Sequence, residues 1–194
     1  MMVLDIESLK DARITLTLIF VNILSFFLII LAAPEEVILF LVQINRNIIN
    51  EYEVWRLITA MFLHGDPLHL FSNMFGLLLF GATIENNKDI SKIQFLLIYF
   101  LSGLIGNLFS LFLLSPTDIS LGASGAIFGL IGVVFTMIAT DEPTLLFFAF
   151  FYIVFFIVTS FLPGINFWAH IFGLLAGIAF GYLFYTRKRN RLTY

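Results

Sequence analysis

Ser124, His170 and His69 lie inside stretches of this chain long and apolar enough to cross a bilayer, and together these residue types can do serine chemistry. Ser124 sits in Leu121-Gly122-Ala123-Ser124-Gly125-Ala126. His170 follows Trp168-Ala169, and His69 has Asn73 one helical turn further on. Polar and ionisable groups are expensive at membrane depth, so each is a candidate functional residue. A serine nucleophile and a histidine base that meet inside a bilayer point to peptide-bond cleavage within the membrane. Singly, each has a plainer role. A membrane serine usually bonds its own backbone, a lone histidine can bridge two helices, and His69 with Asn73 can form an internal pair. The combination carries the reading.

The elements that must position these residues follow from composition. The chain has 194 residues, 60% hydrophobic and only 12% charged, about half the charge of a soluble domain. Its 25 Phe suit a lipid-facing surface, and the lack of Cys excludes disulfides, thiolate metal sites and a cysteine nucleophile. The three His form no His-Glu-x-x-His pattern, which argues against a metalloprotease. No metal or cofactor is expected. Basic residues cluster only at the C-terminal end, so nucleic acid is not an expected partner.

Six segments approach the ~20 apolar residues that cross a ~30 Å core: about 13–33, 67–84, 93–114, 123–140, 144–162 and 167–186. The first is too long for a signal-peptide core and is read as an anchor. The expected architecture is an all-α polytopic membrane protein, one six-span domain over 1–194. Residues 34–66 are long for a connection and too polar to cross, so they are expected to lie as an amphipathic first loop in the outer interface. Trp55 beside Arg56 suits that level. With alternating spans, eight of the ten Lys and Arg fall on one side, leaving Arg46 and Arg56 on the other. The positive-inside rule then puts both termini in the cytoplasm.

Depth links the three polar residues. Ser124 precedes Asp141 by 17 residues (141 − 124), and His170 precedes Arg187 by 17 (187 − 170). At ~1.5 Å per residue each lies about 25 Å from the cytoplasmic boundary. His69 precedes Glu85 by 16 (85 − 69), a similar depth. Gly122, Gly125, Gly129 and Gly132 recur along span four, and Gly173, Gly177 and Gly181 along span six. Small residues at such spacing let membrane helices approach closely, which would bring Ser124 toward His170. The stretch before Ser124 is not helical in character, so Ser124 is expected at a helix N-terminus, where free N–H groups favour an anion. His69 and Asn73 share one helix face and could add side-chain donors. Glu85 is expected to tie the cytoplasmic end of span two to another helix. His64, in His64-Gly65-Asp66-Pro67, is expected to order the loop ahead of it.

This set of motifs resembles the rhomboid intramembrane serine proteases. Gly122-Ala123-Ser124-Gly125 looks like their Gly-x-Ser-Gly motif, and Ala169-His170-Ile171-Phe172-Gly173 like Ala-His-x-x-Gly. His69-Leu70-Phe71-Ser72-Asn73 looks like their His-x-x-x-Asn, and Trp55-Arg56 like the Trp-Arg of their first loop. The likeness covers about residues 50–182. It implies a six-helix rhomboid-type bundle with Ser124 as nucleophile and His170 as general base. The oxyanion would be held at His69, Asn73 and the backbone N–H of Ser124, with Gly122 allowing the close turn. His64 matches a histidine that is structural in the family. Phe128 departs from the family, where many members have a tyrosine under the catalytic histidine. Its ring is expected to pack beneath His170.

No carboxylate is placed to complete a triad, so a Ser–His dyad is expected. A buried imidazole stays neutral and can take the serine proton. The implied activity is endoproteolysis of single-span or helix-destabilised membrane proteins, in a cell membrane, at a site opening to the outer face. The alternative is a rhomboid-like pseudoprotease that binds membrane helices without cutting them.

Overall fold

The structure, a computed structural model, describes residues 10–162 and 164–192. The two ends of the expected 1–194 unit therefore lie outside the described residues. Nine helices are used below: α1 (Arg13–Ile30), α2 (Glu35–Leu41), α3 (Asn45–Glu51), α4 (Arg56–Thr59), α5 (Pro67–Glu85), α6 (Lys92–Leu113), α7 (Ser124–Asp141), α8 (Pro143–Thr159) and α9 (Phe167–Arg191). Five of them, α1, α5, α6, α7 and α9, are long and apolar enough to cross a membrane; α8 is apolar but shorter. The chain is a multi-pass membrane protein. Its first long helix stops at Ile30, short of the expected residue 33, because a turn precedes Pro34. Its last runs past the expected 186 to Arg191.

Local signals set the helix starts. Asp66 caps α5 by accepting from the His69 N–H at 2.9 Å, with Pro67 in the first helical position. Ser91 and Gln94 form a reciprocal capping box at α6. Asn166 caps α9 through the Ala169 N–H at 3.0 Å. α1 has no side-chain cap of its own. Glu85, at the end of α5, takes over: its carboxylate accepts from Ile14 N at 2.9 Å and Thr15 N at 2.7 Å, and Lys92 Nζ closes on it at 3.1 Å. One buried carboxylate thus joins the ends of three spans.

α7 is the centre of the bundle. It packs chiefly on α9 and α6, and also against α5. Every residue from Gly125 to Val134 is buried. The α7–α9 seam is backbone on backbone. A Cβ at Gly173 would collide with the Gly125 carbonyl oxygen, one at Gly177 with that of Gly129, and one at Gly132 with that of Leu174. Gly106 of α6 meets the Ala169 carbonyl in the same way. Only residues without a side chain allow this approach. At the far end from Ser124, the Thr140 and Thr186 hydroxyls bond at 2.7 Å, and Asp141 accepts from Tyr185 and pairs with Arg189. α8 differs: none of its residues is buried.

Residues 34–66 are built from α2–α4 and a two-residue strand, β1 (Gln43–Ile44). It pairs antiparallel with β2 (Ile119–Ser120), Gln43 opposite Ser120. The polar residues here do not simply face water. Gln43 and Asn45 are fully buried; Gln43 Nε2 donates to Asn107 O at 3.1 Å, and Asn45 Nδ2 to Ser115 O at 3.0 Å. Asn107 Nδ2 in turn donates to Leu57 O at 2.8 Å. Buried polar groups need such partners, and here they bind the segment to α6 and to the loop before Ser124.

The seam yields the first prediction. Gly177→Leu must push α9 off α7, so its thermal unfolding in detergent should show a loss of about 1–3 kcal/mol, as overpacking gives. Native stability in that variant would mean that Gly177 does not lie on the seam.

Candidate active site

Ser124 opens α7, and His170 lies in the first turn of α9. Both are within one turn of the glycine contact between Gly125 and Gly173, so the seam sets their separation. Ser124 Oγ and His170 Nε2 are 2.7 Å apart. The other ring nitrogen, Nδ1, is 2.7 Å from Ser160 Oγ, just past the end of α8. Phe128, one turn below Ser124, stacks under the imidazole at 4.1 Å between centroids and an 11° interplanar angle.

The turn before Ser124 is held from several sides. Gly122 has φ +125°, a conformation that residues with a side chain rarely adopt. A Cβ there would also lie 2.7 Å from His69 Nε2, so the glycine makes room for that ring. The Gly122 N–H donates to Ala60 O at 2.9 Å, and the Ala123 N–H to His64 Nε2 at 3.5 Å. Gly122 therefore contributes shape here, and its own N–H is occupied. His64 is fully buried, edge-on to His69 at 4.9 Å. Burial, with the His69 charge as a smaller cause, pushes the His64 pKa from 6.5 down to about 3, against a weaker pull from Asp66. A neutral His64 is the form that can accept the Ala123 N–H.

His69 is half-buried above Gly122. Asn73 is buried on the same face, and its Nδ2 donates to His69 O at 2.9 Å, leaving a second N–H on the amide. First-turn N–H groups of a helix have no intrahelical acceptor, and α7 presents its first turn beside the Ser124 hydroxyl. The remaining expected residues stand elsewhere. Trp55 Nε1 donates to Phe40 O at 3.1 Å. Arg56 is buried, paired with Glu53 at 2.5 Å, and donates to the Leu39 and Val42 carbonyls. Both knit residues 34–66 together. Glu85 is at the opposite end of α5 from His69.

Two residues of the site escaped the sequence reading. Asn166 caps the helix that carries His170, accepts from the Ser110 hydroxyl at 3.0 Å and donates to Ser120 Oγ at 2.9 Å. It thereby ties α9 to α6 and β2. An Asn just ahead of an apolar run is a cap signal that could have found it. Ser160 had no such signal, being one more serine in an apolar stretch.

The chain belongs to the rhomboid family: the Rhomboid domain matches residues 51–187. It is 37% identical over 145 residues to RHOMBOID-like protein 6, mitochondrial, of Arabidopsis thaliana, covering 71% of this chain and 46% of that protein. It is 37% identical over 152 residues to YdcA of Bacillus subtilis (strain 168), which carries a rhomboid-protease name, covering 72% and 71%. It is also 36% identical over 97 residues to Inactive RHOMBOID-like protein 8 of Arabidopsis thaliana, covering 50% and 26%. The chain spans 37% to 49% of the length of the Arabidopsis relatives aligned with it along most of its own length.

Two predictions come from this geometry. Phe128→Ala should cost about 3–5 kcal/mol of packing and slow fluorophosphonate labelling of Ser124 per folded molecule, whereas Phe128→Tyr keeps the ring and should label near the native rate. Fast labelling of the alanine variant with failure of the tyrosine one would show that the ring does not support His170. For His64 the unfolded chain takes up a proton near pH 6.5 and the folded chain only near 3. Its contribution is therefore full above about pH 6.5 and falls as pH drops toward 3. His64→Gln should lose less thermal stability than the native chain between pH 7 and 4; equal losses would mean that His64 protonation does not matter.

Proposed function

We propose that this chain is an intramembrane serine endopeptidase working by a Ser124–His170 dyad. The observation that carries the reading is the 2.7 Å contact between Ser124 Oγ and His170 Nε2, in a family with protease-named members. Ser124 attacks the scissile carbonyl while Nε2 takes its proton. The tetrahedral oxyanion is held by the Ser124 N–H, by His69 and by the second N–H of Asn73. His170 then gives its proton to the leaving amine, and the acyl-enzyme is released by water. Gly122 and His64 shape the turn, and Phe128 supports the imidazole.

In this reading α8 completes a six-span bundle, and residues 34–66 lie in the outer interface. Both termini are cytoplasmic, the membrane is the cell membrane, and the site opens to its outer face. Substrates are single-span or helix-destabilised membrane proteins. Ser124 and His170 are both present and hydrogen-bonded, which supports cleavage over mere helix binding.

The test is cleavage of a single-span substrate in proteoliposomes. The native chain should cut it and take a fluorophosphonate label; Ser124→Ala should fold, yet neither cut nor label. Equal cleavage by both would sink the serine assignment. Substrate binding without cleavage or labelling by the native chain would leave the pseudoprotease reading.

A further inference from the structure

Ser160 stands out in its own segment. Across residues 141–162 every side chain is exposed or partly so except this one, which is 2% exposed. It lies directly after α8, and its hydroxyl is 2.7 Å from His170 Nδ1 and 2.8 Å from the Phe156 carbonyl one turn back. Phe156 also meets Phe128 edge-on at 6.3 Å, so the end of α8 touches both the ring under His170 and the far edge of His170 itself.

The proton count decides what this contact does. A neutral imidazole carries one N–H and one lone pair, and each hydroxyl carries one proton. If Nδ1 bears the proton, it donates to Ser160 Oγ, and Ser160 donates to the Phe156 carbonyl. Nε2 then offers its lone pair to the Ser124 hydroxyl, and every proton has an acceptor. In the opposite tautomer, Nε2–H donates to Ser124 Oγ and Ser160 donates to Nδ1. The Ser124 proton is then left without a protein partner, because no acceptor other than Nε2 lies near it among the described residues. Ser124 is half-buried and His170 buried, so the arrangement that pairs every proton within the protein is the favoured one. Once Nε2 has taken the Ser124 proton, both ring nitrogens are donors, and Ser160 can still accept because its own proton goes to Phe156 O.

We propose that Ser160 is a positioning residue: its hydroxyl holds His170 as the Nδ1–H tautomer, with the Nε2 lone pair aimed at Ser124. This rests on the reading of Ser124 and His170 as a catalytic dyad. It makes the hydroxyl, rather than the bulk, of residue 160 the requirement. Thr and Val have nearly the same shape and differ in that hydroxyl, so they separate positioning from the packing of α8.

The experiment uses the full chain in proteoliposomes, native and with Ser160→Thr, Ser160→Val and Ser160→Ala. Ser160→Thr should keep most of the activity. Ser160→Val and Ser160→Ala should lower kcat roughly 10-fold to 100-fold, by analogy with the partners that orient metal-bound histidines, with KM nearly unchanged because Ser160 acts through His170 alone. Native kcat in the valine variant, or a loss confined to KM, overturns the proposal. A second readout is independent of cleavage. With ¹⁵N-labelled histidine, the His170 signal, assigned by its absence in His170→Asn, should show a protonated Nδ1 in the native chain. In Ser160→Val it should show a mixture of tautomers. A native Nε2–H tautomer, or no change in the variant, overturns the proposal even if the chain cuts substrate. If the native chain neither cuts nor labels, the proteolytic reading fails, and the nitrogen signals still decide what Ser160 does.

Discussion

Backbone contact between α7 and α9 is the constraint on which the rest of the molecule depends. Inside a bilayer there is no hydrophobic drive to bring two helices together, so close van der Waals packing must do it. Here Gly173 and Gly177 of α9 lie against the carbonyls of Gly125 and Gly129 of α7, and Gly132 of α7 lies against the carbonyl of Leu174 of α9. A carbonyl of a helix backbone cannot swing aside as a side chain can. The axes are therefore held at one distance, and side chains just beyond the last glycine contact are held with them. Ser124 and His170 occupy that place, which is why an oxygen and a nitrogen from residues 46 apart in sequence meet at 2.7 Å. The hydroxyl pair of Thr140 and Thr186 closes the opposite end and prevents the helices from splaying there.

A second layer of polar contacts works at the ends of these helices. His64 reaches the Ala123 N–H, Ala60 O takes the Gly122 N–H, and Asn166 joins α9 to Ser110 and Ser120. Each is buried or partly buried, so an unmade bond would cost more than at an open surface. The turn before Ser124 is thus fixed by groups from the connection ahead of α5, from α5 through His69, and from α9. α8 contrasts with this shell. It has no buried residue of its own, and its grip on the site is through Phe156 and the Ser160 that follows it. Rigidity around Ser124 and light attachment of α8 coexist within one small bundle.

How much of this was legible in the sequence depends on the range of each interaction. Four-residue glycine spacing and the common depth of Ser124, His170 and His69 are local patterns, and they led to the correct pair of neighbouring helices. Gly122 was legible as a turn, though not the reason a side chain fails there, which is the His69 ring from another helix. Trp55 and Arg56 read as headgroup residues by type, yet their partners are the Phe40, Leu39 and Val42 carbonyls. Gln43 and Asn45 read as polar loop positions, yet both are buried against α6 and the chain that follows it. The β1–β2 pairing is two residues long, too short for any alternation to appear. Ser160 was the least legible, since its meaning lies wholly in a ring ten residues on.

The carboxylates explain why a hydroxyl stands behind His170. Asp66 caps α5, Asp118 accepts from Ser115, and Glu53 holds Arg56. Glu85 caps α1, while Asp89 and Asp141 pair with the basic end of α9. Each of these six acids is engaged at a helix end or a connection, where its charge meets a cation or backbone N–H groups. An acid behind His170 would instead sit among Phe128, Phe156 and the α8 end, and its desolvation would weigh against whatever it gave the imidazole. A serine hydroxyl introduces no net charge, accepts one bond and gives its own proton to a carbonyl in the last turn of α8. It orients the ring at little desolvation cost but offers the imidazolium a dipole in place of a full charge. Packing by Phe128 then matters more, because the ring must be held by shape where the electrostatic hold is weaker.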